Sequence, residues 1–205
     1  MENLDESTGV GDKRSLGEDG HPFPAWLAFH LNNPLRRHFH PPEKTVSVLG
    51  VKGTDAVLDF GCGPGFYTIP FAKIAREVIA VDIQPKMLEK VARYAEKNRV
   101  KIKSLQSDGQ LIPLPDNSFD LVFLSGVYHH LTDKRRVLTE LTRLLKSGGR
   151  IVIRERTEPG SITLGPPSVD KEEVFTDLKA VGLVCLETTP DPCDKRTTLM
   201  TAIAE

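Results

Sequence analysis

No apolar run in this 205-residue chain approaches the ~20 residues that a membrane-spanning helix needs. The amino end, MENLDESTG, is acidic, where a secretory signal would be basic and then apolar. Both absences predict a soluble chain without a membrane span. Cysteine is scarce as well. Cys62, Cys185 and Cys193 are odd in number and show neither CxxC nor zinc-ligand spacing, so no disulfide framework is expected and a reducing cytoplasm is the predicted setting. Charge of one sign is also lacking: 27 basic residues face 28 acidic ones, which leaves no basic footprint for nucleic acid. The local triplet Arg36, Arg37 and His38 reads as a solvated helix face. Neither internal repeats nor low-complexity tracts interrupt the chain, and its length suits one domain able to bury its own core.

Three segments follow from composition. Residues 1–20 hold few apolar groups and are predicted to be a disordered tail. Residues 21–50, HPFPAWLAFHLNNPLRRHFHPPEKTVSVLG, are cut by prolines into short helices near 25–31, 35–39 and 43–49, and are expected to form a helical lid. The lone tryptophan and four of six histidines lie here. His38 and His40, with His21 or His30, invite a metal reading, but no ligand spacing supports it and no metal is expected. Phe23, Trp26, Phe29 and Phe39 are expected to pack as core or to face an apolar ligand. Residues 51–205 then form the main domain.

Within that domain the stretch VLDFGCGPGFYTIPFA carries the most information. Val57, Leu58 and Phe60 suit a strand buried on both faces. Gly61, Gly63 and Gly65 permit a sharp turn with close approach of a ligand to the main chain, and a helix is expected over about 66–75. Such a loop serves several nucleotide and nucleoside ligands. Phe66 stands where a dinucleotide loop wants a small residue, and the lysine and hydroxyl of a phosphate-binding P-loop are missing. Asp59, two residues before the first glycine, would repel a diphosphate and welcome a cation. Strands and helices alternate thereafter, which predicts an α/β fold: a Rossmann-like, doubly wound sheet of seven strands, mostly parallel with an antiparallel C-terminal strand. Asp170 and Glu173 are placed as a capping box for the last helix.

VLDFGCGPG resembles motif I of the class I S-adenosylmethionine-dependent methyltransferases, and later landmarks arrive in that family's order. EVIAVD ends in Asp82, SDGQ holds Asp108, LPDNSFDLV leads into the fourth strand, and LTELTRLLKSGGRIVIRE resembles the helix, Gly148–Gly149 turn and fifth strand of the ubiquinone and menaquinone type of small-molecule enzymes. The resemblance covers residues 50–157 and implies S-adenosyl-L-methionine as cofactor, S-adenosyl-L-homocysteine as product, and methyl transfer to a small molecule. It implies that the Gly61–Gly65 loop, with Cys62, holds the methionine part and that Asp59 lies near its ammonium. It assigns the ribose to Asp82, the adenine to Asp108 and Gly109, flanked by Ile83 and Met87, and the methyl region to Ser125 and Gly126. Tyr67 and Thr68 are read either as cofactor contacts or as helix packing. Tyr128, His129 and His130 are the candidates for contact with the acceptor, with a histidine either removing its proton or serving the structure. Glu155 either lines the site or pairs with Arg154 or Arg156.

The run SGVYHH after strand four replaces the Asn/Asp-Pro-Pro-aromatic run of nucleobase and amide N-methyltransferases, and the cysteine placement does not suit an arsenite-type enzyme. Carbon, oxygen and nitrogen acceptors all remain open. Two other classes stay in view: a silent adenosylmethionine-binding module, and a nicotinamide oxidoreductase disfavoured by Phe66 and by the lack of a Tyr-x-x-x-Lys pair.

Overall fold

The computed structural model describes residues 32–158 and 167–205. The predicted tail, the first lid helix at 25–31, and Phe23, Trp26, Phe29, His21 and His30 lie outside the described residues. Helices α1 (Pro34–Phe39) and α2 (Pro42–Val48) each begin on a proline, whose fixed φ suits the first helical turn. The core then runs β1 (Ala56–Phe60), α3 (Thr68–Ala72), β2 (Glu77–Asp82), α4 (Pro85–Lys97), β3 (Lys103–Gln106) and β4 (Phe119–Ser125). A 3-10 turn at Tyr128–His130 leads to α5 (Lys134–Leu144), β5 (Leu145–Arg156), α6 (Lys171–Ala180), β6 (Val184–Asp191) and β7 (Asp194–Ile203).

The seven strands form one sheet in the order β3-β2-β1-β4-β5-β7-β6. All neighbours from β3 to β5 are parallel, and β7 runs antiparallel to both β5 and β6. This is the doubly wound sheet with one antiparallel strand that the alternating pattern predicts. The chain leaves β1 for β2 and β3, then returns to β4 on the other side. The crevice between the carboxyl ends of β1 and β4 is therefore the topological switch point where open α/β sheets bind ligands.

Strand alternation divides the core. Leu58, Phe60, Val122, Leu124, Ile151 and Ile153 face α5 and α6, whereas Val57, Leu121, Phe123 and Val152 face α2 and the Phe66–Phe71 segment. Helix α4 buries Met87, Val91 and Ala95, spaced four apart on one stripe. Arg143 organises the loop before β4: its guanidinium donates to the carbonyls of Ile112 and Leu114 and to Glu140 and Asp116.

Some local expectations are corrected. The helix after the glycine loop is only Thr68–Ala72: Gly63 and Gly65 hold positive φ before it, and turns replace the helix at Phe66–Tyr67 and Lys73–Ile74. Gly148–Gly149 is a bulged stretch inside β5, which skips register against β4 between Phe119 and Leu121. Asp170 caps α6 through the N–H of Glu172, while Glu173 reaches to Lys134 at 2.5 Å, so no capping box closes. Phe39 is 66% exposed, its ring meeting His38 edge to face at 5.2 Å.

Candidate functional site

The glycine loop is tied down before any ligand enters. The N–H groups of Gly61 and Cys62 both donate to the Val81 carbonyl, at 2.8 and 2.9 Å, and the Gly63 N–H donates to Asp82 Oδ2 at 2.9 Å. A Cβ on Gly65 would lie 2.6 Å from Val91 Cγ2, so this glycine lets the loop press on α4. The close-packing role thus falls on Gly65, one residue before Phe66. Gly63 and Gly126, both at positive φ, differ: a Cβ there would meet nothing within 4 Å. Gly63 follows β1 and Gly126 follows β4, so both stand at the carboxyl ends of the strands that bound the switch point.

Asp82 ends β2 with its Oδ1 accepting the Gln84 N–H at 2.9 Å and its Oδ2 accepting that of Gly63. Each oxygen keeps a further acceptor position, enough for a pair of vicinal hydroxyls. Burial raises its pKa, and the two N–H groups oppose that rise. Asp59 is buried beneath the loop, accepting the Thr68 hydroxyl at 2.5 Å. Burial pushes it up to about 7; the Thr68 bond opposes this and the Asp82 charge adds to it. Burial also raises the Cys62 thiol, reinforced by Asp59 and Asp82.

The remaining predicted residues divide into open and packed. Ile83 is 44% exposed at the end of β2 and Asp108 is exposed with its Oδ1 on the Gln110 N–H, whereas Gly109 is buried against Phe60, where a Cβ would approach to 2.5 Å. Ser125 is half-buried beside exposed Gly126. By contrast Cys62, Tyr67, Thr68 and Met87 have buried side chains: Cys62 packs under α4, and the Tyr67 ring meets those of Phe66 and Phe123 at 5.1 Å each. Their side chains pack the elements that carry the loop.

The histidine segment is corrected in one member. Tyr128 is fully buried in the core facing α5 and α6, its hydroxyl donating to Asp177 at 2.5 Å, so its side chain anchors the turn and does not wall the site. His129 Nδ1 stands 3.0 Å from Glu155 Oε2, and Glu155 Oε1 accepts the Tyr128 N–H at 2.7 Å. Glu155 is thus a buried clamp on this turn, not a partner of Arg154 or Arg156. His130 is exposed, its ring 4.0 Å from that of His129, and its pKa is lowered by partial burial and by His129, against the pull of Glu155.

Sequence reasoning missed how the basic triplet is used. Arg36 and Arg37 are half-buried over the Phe66 ring, at 4.1 and 5.2 Å from its centroid. Arg37 donates to the Phe66 carbonyl at 3.2 Å and Asn32 donates to that of Pro64 at 3.1 Å. The segment before β1 therefore fastens onto the glycine loop. His40 turns to the Cys193 carbonyl at 3.0 Å, and no group of metal-ligating side chains forms among the described residues. The three cysteines are thiols, and no described helix is long and apolar enough to cross a membrane.

This arrangement, a glycine loop between β1 and a short helix with a carboxylate ending β2, defines a nucleoside-binding α/β domain. Residues 58–153 match the family described as a methyltransferase domain. A S-adenosylmethionine-dependent methyltransferase from Aquifex aeolicus has a crystal structure that superposes with a TM-score of 0.80 at 27% identity, covering 90% of this chain and all of that one. The chain is similar to the class I S-adenosylmethionine-dependent methyltransferases, a class whose cofactor is S-adenosylmethionine. Within that class it resembles the ubiquinone/menaquinone biosynthesis C-methyltransferase UbiE of Marinomonas sp., 33% identical over 67% of this chain and 56% of the relative. It likewise resembles the demethylmenaquinone methyltransferase of Lactiplantibacillus plantarum, 33% identical over 66% of this chain and 60% of the relative. The match spans little more than half of those relatives' own length.

The residues present fit this cofactor. Gly63 and Gly126 have open space where a Cβ would lie, and each Asp82 oxygen keeps an acceptor position for a hydroxyl.

Proposed function

We propose that this chain transfers a methyl group from S-adenosylmethionine to a small-molecule acceptor by in-line displacement at the carboxyl edge of β4. The observation that carries the reading is the Asp82 carboxylate at the end of β2, bonded to the Gly63 N–H of the glycine loop. When bound, the cofactor supplies an electrophilic methyl on a positively charged sulfur, a centre that needs orientation more than acid–base help. Asp82 takes the two ribose hydroxyls, and Asp108 and Gly109, with the exposed Ile83, flank the adenine, while Met87 packs the helix behind the loop. The Gly61–Gly65 loop holds the methionine part, Asp59 lies beside its ammonium, and Ser125 with Gly126 fronts the methyl.

His129 is the better placed of the two histidines for proton removal. Glu155 engages its Nδ1, which fixes the ring and leaves Nε2 as the acceptor. His130 lies against it and faces solvent. The described part of the expected lid, residues 32–50, covers the glycine loop; the contacts of Asn32 to the Pro64 carbonyl and of Arg37 to the Phe66 carbonyl support this. The stretch shared with the quinone-methylating relatives is the donor-binding core, so the proposal commits to the donor and to a small molecule, with no nucleic acid as partner. The thiol state of all three cysteines suits a cytoplasmic setting.

The experiment is calorimetric titration of the protein with S-adenosylmethionine, S-adenosylhomocysteine and NADH in parallel. Micromolar binding of the first two alone supports the reading. Binding of NADH, or of none of the three, overturns it.

A further inference from the structure

Charge balance over the whole chain conceals a local imbalance. Residues 86–101 carry six cations, Lys86, Lys90, Arg93, Lys97, Arg99 and Lys101, against only Glu89 and Glu96, although acidic residues outnumber basic ones in the full chain. Four of the six lie on α4 at spacings of four, three and four, which sets Lys86, Lys90, Arg93 and Lys97 in one row about 16 Å long. Met87, Val91 and Ala95 turn toward the sheet and are buried, so the row faces outward. Lys86, Arg93 and Lys97 are exposed and Lys90 is half-buried.

Helical spacing puts the two glutamates along one flank of this row and Tyr94 along the other. On the Tyr94 flank α1 joins the surface, because Arg37 Cζ stands 5.2 Å from the Tyr94 centroid and equally far from that of Phe66. With Arg36 and Arg37 turned inward over Phe66, Leu35 and Phe39 point the other way, one turn apart on the same side of α1. They are 68% and 66% exposed. An apolar pair therefore stands beside a row of cations, on the side away from the glutamates. Folding explains neither feature. Like charges three and four residues apart weaken a helix, and the one nearby pairing, Arg93 with Glu89, is 4.0 Å long between largely exposed side chains.

We infer that the cationic row of α4, together with Leu35 and Phe39 of α1, is a docking surface for a membrane rich in anionic phospholipid. The cations lie on the phosphate layer, and the two apolar side chains enter the boundary between headgroups and acyl chains. Nucleic acid also presents a row of phosphates, but it offers no apolar layer to Leu35 and Phe39. Tyr94, the aromatic residue beside the row, is half-buried under Arg37 instead of open to a stacking base. The attachment is peripheral, since no described helix is long and apolar enough to cross a membrane. It goes beyond the methyl-transfer reading and does not depend on what the glycine loop binds.

The test is co-sedimentation of the full chain with vesicles of phosphatidylglycerol and phosphatidylcholine in equal parts, and with phosphatidylcholine alone, at about 0.05 and 0.5 M salt. One variant, Lys86→Gln with Arg93→Gln and Lys97→Gln, removes three charges from the row. Its control, Arg135→Gln with Lys179→Gln and Lys195→Gln, removes three exposed charges from α5, α6 and β7. A third protein, Leu35→Gln with Phe39→Gln, removes the apolar pair. The wild type should bind the anionic vesicles at low salt, leave them at high salt and ignore phosphatidylcholine. The row variant should bind about tenfold more weakly or worse, the apolar variant should also lose affinity, and the control should match the wild type. Either of the first and third proteins decides the matter should the other fail to fold. A wild type that does not bind anionic vesicles overturns the docking surface. Equal weakening by the row variant and its control overturns it too, since net charge alone would then explain binding. Polyuridylate bound more tightly than the vesicles, with the apolar variant still binding vesicles like the wild type, would assign the row to nucleic acid and overturn the lipid surface.

Discussion

Replacing Asp59 by asparagine should make the unliganded protein more resistant to unfolding at neutral pH, with a smaller gain at pH 5. The folded carboxyl sits at about 7 instead of its ordinary 3.8, chiefly because burial disfavours the charge; the Thr68 hydroxyl resists the shift and Asp82 adds to it. Between those two values the folded chain holds a proton that the unfolded chain has lost. The contribution to stability is therefore present at low pH and is lost as pH rises from about 4 to about 7. Each pH unit in that window removes about 1.4 kcal/mol, so the whole window removes about 4 kcal/mol at most, and the part between pH 5 and 7 about 3 kcal/mol. Asparagine cannot ionise, and its carbonyl still accepts the Thr68 hydroxyl. Urea unfolding of both proteins at pH 5 and pH 7.5, at one ionic strength, reads the effect as a difference of differences. Asp82 titrates in both and largely cancels. The variant should gain about 3 kcal/mol on the wild type between the two pH values. Parallel pH dependences would refute the assignment of a protonated, buried Asp59. Saturating S-adenosylhomocysteine should flatten the wild-type profile, since its ammonium would hold Asp59 ionised.

Three further outcomes are expected. Asp82→Ala should weaken S-adenosylhomocysteine by about 2 kcal/mol, the value of hydrogen bonds to a charged acceptor, with unchanged calorimetric affinity removing Asp82 from the site. Arg143→Ala should cost about 3 kcal/mol in urea unfolding, because it releases the carbonyls of Ile112 and Leu114 and strands the buried Glu140 carboxylate; a loss under 1 kcal/mol would show that the loop before β4 holds without it. In an NMR titration His130 should have its midpoint below the ordinary ~6.5, and His129→Gln should raise it by removing the adjacent imidazole, whose electrostatic influence lowers it. A midpoint unmoved by that substitution would show that the two rings do not interact.

The readable parts of this protein are those whose physics is local. Apolar runs bounded by glycine and proline marked β1, β2, β4 and β5 because parallel strands covered on both faces need nearly continuous hydrophobic sequence. The glycine loop was legible because positive φ and close approach to Val91 restrict the residue type at those positions. Tyr128 misled because a residue beside two histidines at a strand end looks exposed from sequence alone, while the 3-10 turn rotates it onto Asp177. Arg36 and Arg37 misled for the converse reason: a helix of six residues with exposed Leu35 and Phe39 gives no amphipathic stripe from which to read its buried face.

Sequence by itself determined the doubly wound sheet, the placing of Asp82 at the end of β2 and the class of ligand at the glycine loop, since each depends on residues close together in the chain. Tertiary structure decided which side chains face one another across the sheet edge. Glu155 reaches His129 from 26 residues away, Arg154 is joined to Asp191 from β6, and Arg36 comes to Phe66 from α1. Pairings of that kind depend on strand order and register, and on the face of the sheet to which alternation assigns each residue, so they exist only once the sheet has closed around its two cores.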